Sequence, residues 1–186
     1  MSSVTDCIVT IQDLLDKWRE LGHTTLPNGV ELLGQFPDVT PPTWMHVVFP
    51  GLSNRRIAEL EQRLGCALPN RMRAFYRLIG GLTLFSGAFR VAGLRRPGFR
   101  SGADSFHPDD IVELNHELDV AGWKPQAALA FAINAWDGSV HLTGMGKSPD
   151  ETVRCERATG RVLEFHDDVF ACLSSRLLRL DDLMLG

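Results

Sequence analysis

The chain has 186 residues, 44% apolar and 23% charged, with a net charge of −4. That length and apolar content suit one domain with a full core and exclude global disorder. The acidic balance disfavours a nucleic-acid scaffold, which draws affinity from a basic surface, and fits a soluble protein whose partner is basic. No apolar run approaches the roughly 20 residues needed to span a bilayer. The N-terminus M-S-S-V-T-D-C lacks the basic and apolar parts of a secretory signal, so the cytoplasm is the expected compartment. Cys7, Cys66, Cys155 and Cys172 are scattered, without zinc-ligand spacing. Free thiols and no metal or cofactor are therefore expected.

Residues Thr5 to Leu21 read as a helix, with Ile8, Ile11, Leu14, Leu15, Trp18 and Leu21 on one face and Gly22 to end it. His23 to Pro50 carries five prolines and little periodicity. It reads as an extended, packed connector with one short strand at Met45 to Phe49. Residues 1–50 thus form a helix and a Pro-rich extension on a core of residues 51–186, all in one domain.

Ser53 is a good N-cap, Ile57, Leu60 and Leu64 follow at helical spacing, and Gly65 is suited to the left-handed residue after a helix. Leu68-Pro69 is extended. A second helix starts near Asn70, buries Met72, Phe75, Tyr76 and Ile79, and stops at a Gly80-Gly81 turn before a strand at Leu82 to Phe85. The string I-A-E-L-E-Q-R-L-G-C-A-L-P-N-R-M-R-A-F-Y-R-L-I-G-G resembles the signature of the SUKH superfamily, the Smi/Knr-type domain. Ile57, Glu61, Leu64, Gly65, Leu68, Pro69, Phe75, Gly80 and Gly81 occupy the pattern. Ile79 stands where the family usually has Asn. The resemblance is good over Leu52 to Phe85, looser from Ala128 to Leu180 and absent before Pro50.

Ala88 to Ala92 reads as a strand. The loop Leu94 to Asp104, with Arg90 just before it, gathers Arg95, Arg96 and Arg100. Arginine forks suit phosphates, but no phosphate-loop pattern accompanies them. Ser105 to Leu118 reads as a helix with Pro108 in its first turn, Ile111, Leu114 and Leu118 inward, and Asp110, Glu113 and Glu117 on an adjoining face. Like charges four apart cost a few tenths of a kcal/mol, so this run is either a solvated face or a surface for a basic partner. Ala128 to Asn134 is a buried strand, and Asp137-Gly138 turns it into Val140 to Thr143. Thr152 to Glu156 and Arg161 to Phe165 form a second hairpin. Asp167 to Leu183 is a final amphipathic helix. The fold expected is α+β: a largely antiparallel sheet of about five or six strands with helices packed on one side.

No G-x-S-x-G elbow or H-E-x-x-H motif is present. His107 and His166 sit beside aspartates that helix capping explains, and His46 and His141 read as packing histidines. A non-enzymatic binding protein is expected. The resemblance implies an immunity protein that neutralises a bacterial toxin, often a nuclease, by occlusion. Its docking residues, chosen by charge and expected exposure, are Asp104, Asp109, Asp110, Glu113, Glu117, Asp150 and Glu151, with Trp136 as an aromatic anchor. The alternatives are an intracellular regulatory scaffold of the Smi/Knr type and a nucleotide-binding enzyme using the arginine-rich loop.

Overall fold

The computed structural model describes residues 4–36, 43–95 and 105–185. Among these, five α-helices accompany one sheet of nine strands, every neighbouring pair antiparallel. The spatial order of the strands is their order in the chain, so the sheet is a continuous meander.

The expected five or six strands become nine, in part because the N-terminal connector, expected to hold one short strand at Met45 to Phe49, holds three. After α1 (Val4–Arg19) come β1 (His23–Thr25), β2 (Glu31–Gln35) and β3 (Trp44–Pro50). The first hairpin turns at Asn28-Gly29, where Gly29 has φ 82° and the Asn28 side chain accepts from the Val30 amide. Asn-Gly is a strong hairpin signal; the surrounding prolines obscured it. Residues of β2 alternate in destination. Leu33 joins the main core, and Leu32 packs with Val30 and Phe49 in a smaller cluster. Leu21, expected on the buried face of α1, lies beyond the helix and is exposed.

The central segment carries α2 (Asn54–Leu64), α3 (Asn70–Leu78), β4 (Ile79–Leu84) and β5 (Phe89–Val91). Ser53 accepts from the Arg56 amide and caps α2, and Gly65 closes it at φ 71°. Glu61 explains the spacing of the motif. Its Oε1 accepts from the Leu68 amide at 2.9 Å and also holds Arg73, tying the Leu-Pro turn back onto α2. Gly80 and Gly81 do not form the expected turn; they lie inside β4. A Cβ at Gly80 would strike the Pro50 carbonyl, and one at Gly81 would stand 2.7 Å from Pro108. The glycines permit close backbone approach in the sheet.

The third helix also differs from its expected span. α4 covers Ile111–Ala121, starts at the Asp110 cap and ends at Gly122 with φ 81°. Pro108 therefore precedes the helix. The rest of the chain supplies β6 (Leu129–Asn134), β7 (Val140–Thr143), β8 (Thr152–Cys155), β9 (Val162–His166) and α5 (Val169–Leu185). The helices touch in the order α1, α5, α3, α2, α4. All four residues of β7 are buried, so that strand is covered on both faces. Two buried polar anchors join the layers. Tyr76 donates to the Ala92 carbonyl at 2.7 Å, and Asp181 on α5 holds Lys17 and the Trp18 indole N–H of α1.

Candidate functional site

The residues expected to dock a partner fall in three places, and Asp104 lies outside the described residues. Those on or before α4 each meet an arginine: Asp109 with Arg90 at 3.1 Å, Asp110 with Arg63 at 2.8 Å, Glu113 with Arg95 at 3.8 Å, and Glu117 with Arg157. Asp110 is buried and caps α4 by accepting from the Val112 amide. Asp150 and Glu151 belong to the β7–β8 loop. Asp150 accepts from the Arg71 amide, supplying α3 with the cap that Pro69 cannot, and Glu151 accepts from the Lys147 amide. Trp136 stands apart on the β6–β7 turn, 75% exposed. The arginine-rich loop is paired as far as it is described, through Arg90 and Arg95; Arg96 and Arg100 lie outside the described residues.

A constellation that the sequence did not disclose is the row Cys172, His141 and Asn134. The Cys172 sulfur lies 3.2 Å from His141 Nδ1, and Asn134 Nδ2 lies 3.2 Å from His141 Nε2. These are the groups of a cysteine–histidine nucleophile with an orienting amide, yet their environment disables them. Cys172 and His141 are both fully buried, with Phe89 and Phe131 against the imidazole. Burial pushes the thiol well up, away from thiolate. Burial first, then the Arg176 charge, holds the imidazole neutral. His46 is likewise a packing residue, set edge-on to Trp18 and Phe85 and accepting from the Phe85 amide.

Beside this row lies a charged cluster between sheet and helix. Arg154 donates to Ser139 Oγ at 2.8 Å and Glu164 Oε1 at 2.5 Å, and it also binds Asp137. Glu164 further receives Arg176, with Arg179 at 3.7 Å and His166 at 3.6 Å. Burial lowers Arg176 to about 10, helped by the neighbouring Arg154 and Arg179 charges. Arg176 and Arg179 open with Trp136 and Asp137 onto a pocket of about 120 Å³. The one warning in the sequence was Arg176 itself, a cation between Leu173 and Leu177 on the apolar side of α5.

Two of the larger cavities carry polar groups on other walls. One of about 260 Å³ touches Ser53, Arg56 and His107, but Ser53 is engaged as the α2 cap. The other, about 510 Å³, lies between Gly65, Asn115 and Lys124. Among the described residues no group of three or more His, Cys, Asp or Glu could hold a metal ion. No described helix is long and apolar enough to cross a membrane.

These observations define an α+β protein on a single antiparallel meander, with its cysteine–histidine pair enclosed in the core. The sequence model of the SMI1 / KNR4 family (SUKH-1) matches residues 51–168, and the chain belongs to that family. The match runs from just before α2 to just before α5; α1, β1, β2, β3 and α5 lie outside it. Comparison with curated proteins finds no match.

Proposed function

We propose that this chain is an immunity-type binding protein, which neutralises a secreted bacterial toxin domain by covering its active or substrate-binding surface. The observation that carries the reading is the sealed Cys172–His141–Asn134 row: its cysteine and histidine are fully buried, out of reach of a substrate, and burial raises the thiol and lowers the imidazole. Family membership supports it. The protein then acts by shape and charge, without a chemical step and in the cytoplasm.

Trp136 is the anchor of this interface, because a large exposed aromatic gains most from burial against a partner. Glu113 and Glu117 contribute by exchange. Their side chains are 68% and 59% exposed, and pairs this open are worth at most about 1 kcal/mol, so arginines of a toxin can replace Arg95 and Arg157. The test is co-expression with the toxin domain encoded beside this chain, followed by size-exclusion chromatography and a toxicity assay. Co-elution with loss of toxicity is expected; separate elution with toxicity unchanged would overturn the reading.

A further inference from the structure

The pocket between the β6–β7 turn, β8 and α5 has an imbalance of charge. Among the described residues its walls hold three guanidinium groups, Arg154, Arg176 and Arg179, and one carboxylate, Asp137. Glu164 behind them brings the local sum to +3 − 2, an excess of one positive charge. Not all of the donors are used. Arg154 engages all three of its nitrogens. Arg176 binds Glu164 through Nη2 and is only 5% exposed, its Nε–H enclosed without an acceptor, so it bears on the pocket by its charge. Arg179 leans on Glu164 loosely at 3.7 Å, with its side chain 64% exposed and its remaining N–H groups turned to solvent or the pocket.

The mouth of the same pocket is apolar. Trp136 and Leu183 are 75% and 63% exposed, and Leu180 lines the pocket with them. The pocket, of about 120 Å³, has room for a carboxylate on a short methylene stem. One excess positive charge matches one carboxylate, and the apolar rim suits the residue next to it in a polypeptide.

We propose that this pocket receives the carboxylate of one Asp or Glu side chain of a protein partner, with an adjoining apolar residue of that partner laid across Trp136 and Leu183. The inference rests on the binding-protein reading and adds the polarity of the contact: this end of the molecule takes an acidic side chain, while α4 presents acids of its own. The carboxylate is a charge-assisted acceptor for Arg179 beside the Arg176 charge, a contact stronger than a neutral hydrogen bond. Asp137 at the wall discriminates against ligands of higher negative charge.

The experiment titrates the intact protein with N-acetyl-leucyl-glutamic acid amide and follows the Trp136 indole and the Arg176 and Arg179 Nε–H resonances by NMR. The controls are N-acetyl-leucyl-glutamine amide and inorganic phosphate. The glutamate peptide is expected to shift all three signals at millimolar concentration, and the glutamine peptide to bind about tenfold more weakly or not at all. Arg179→Ala, at an exposed position, is expected to weaken the glutamate peptide about tenfold with the thermal unfolding curve unchanged; Trp136→Ala should do the same through the rim. Equal binding of the two peptides, phosphate binding as tightly with the same shifts, or no shift at all would each overturn the proposal. The toxin co-elution above is scored separately, so a pocket that fails and a binding function that fails give different results.

Discussion

Asn115 offers the sharpest test of how the core is held. Its side chain completes the sheet where β5 has run out. Nδ2 donates to the Ala130 carbonyl at 2.8 Å and to the Ile111 carbonyl at 2.8 Å, while Oδ1 accepts from the Ala130 amide at 2.9 Å. Ala130 is fully buried, so Asn115→Ala would strand both of its backbone groups. Each such group costs roughly 1–3 kcal/mol. Asn115 also borders the cavity of about 510 Å³ beside Lys124, from which water can recover part of the loss. A net loss of about 3 kcal/mol follows, a fall in Tm of about 6–12 °C for a chain of this size. Asn115→Asp keeps an acceptor for the amide, loses both donors and sets a carboxylate beside a carbonyl, so it should fare no better. Urea unfolding followed by tryptophan fluorescence gives the energy, and hydrogen exchange at the Ala130 amide gives its location. A loss under about 1 kcal/mol with that amide still protected would refute the reasoning.

Gly93→Ala would place a Cβ 3.0 Å from Pro108 and 3.1 Å from the Gly80 carbonyl carbon, nearer still to its oxygen; overpacking against backbone costs about 2–3 kcal/mol. Gly65→Ala meets nothing within 4 Å and carries only left-handed strain of about 1–2 kcal/mol, so it must prove the milder change by urea unfolding. His46 stays neutral in the fold because burial lowers it to about 4, against an ordinary value of about 6.5. Its stabilisation is therefore present above about pH 6.5 and is lost as pH falls toward about 4, by up to about 3 kcal/mol. His141 and His166 are lowered too and act in the same direction, so His46→Gln should flatten the slope of stability between about pH 7 and pH 4.5 without abolishing it. An unchanged slope refutes the burial account. In a Cys7→Ser background a thiol reagent should label exposed Cys66 at once and reach Cys155 and Cys172 only after denaturation, as read by peptide mass spectrometry.

The helices around the family motif were legible because each carries its own punctuation. Ser53 and Gly65 bracket α2, and the apolar stripe of Ile57 and Leu60 is what it buries. The candidate site was much less so. Cys172, His141 and Asn134 come from α5, β7 and β6, and nothing in their spacing foretells that two hairpins and a helix bring them within 3.2 Å of one another in turn. The acids on α4 stand out by composition, but their arginine partners are up to 47 residues away in sequence.

Local order in the chain was sufficient to specify helix and strand periods, the caps of α2 and the antiparallel hairpins after Ala128, since these depend on residues within a few positions of each other. The sequence also bore the family's turn, because Glu61 and Leu68 are near neighbours. Tertiary structure alone decided that β1 and β2 extend the sheet beyond the expected strand at Met45 to Phe49, that Gly80 and Gly81 lie within a strand, and that a cysteine–histidine pair is shut away. Each of those outcomes depends on which distant surface a segment meets: β2 is a strand because β3 pairs with it, and Cys172 is enclosed because α5 sets it against His141 of β7, whose ring packs on Phe89 and Phe131.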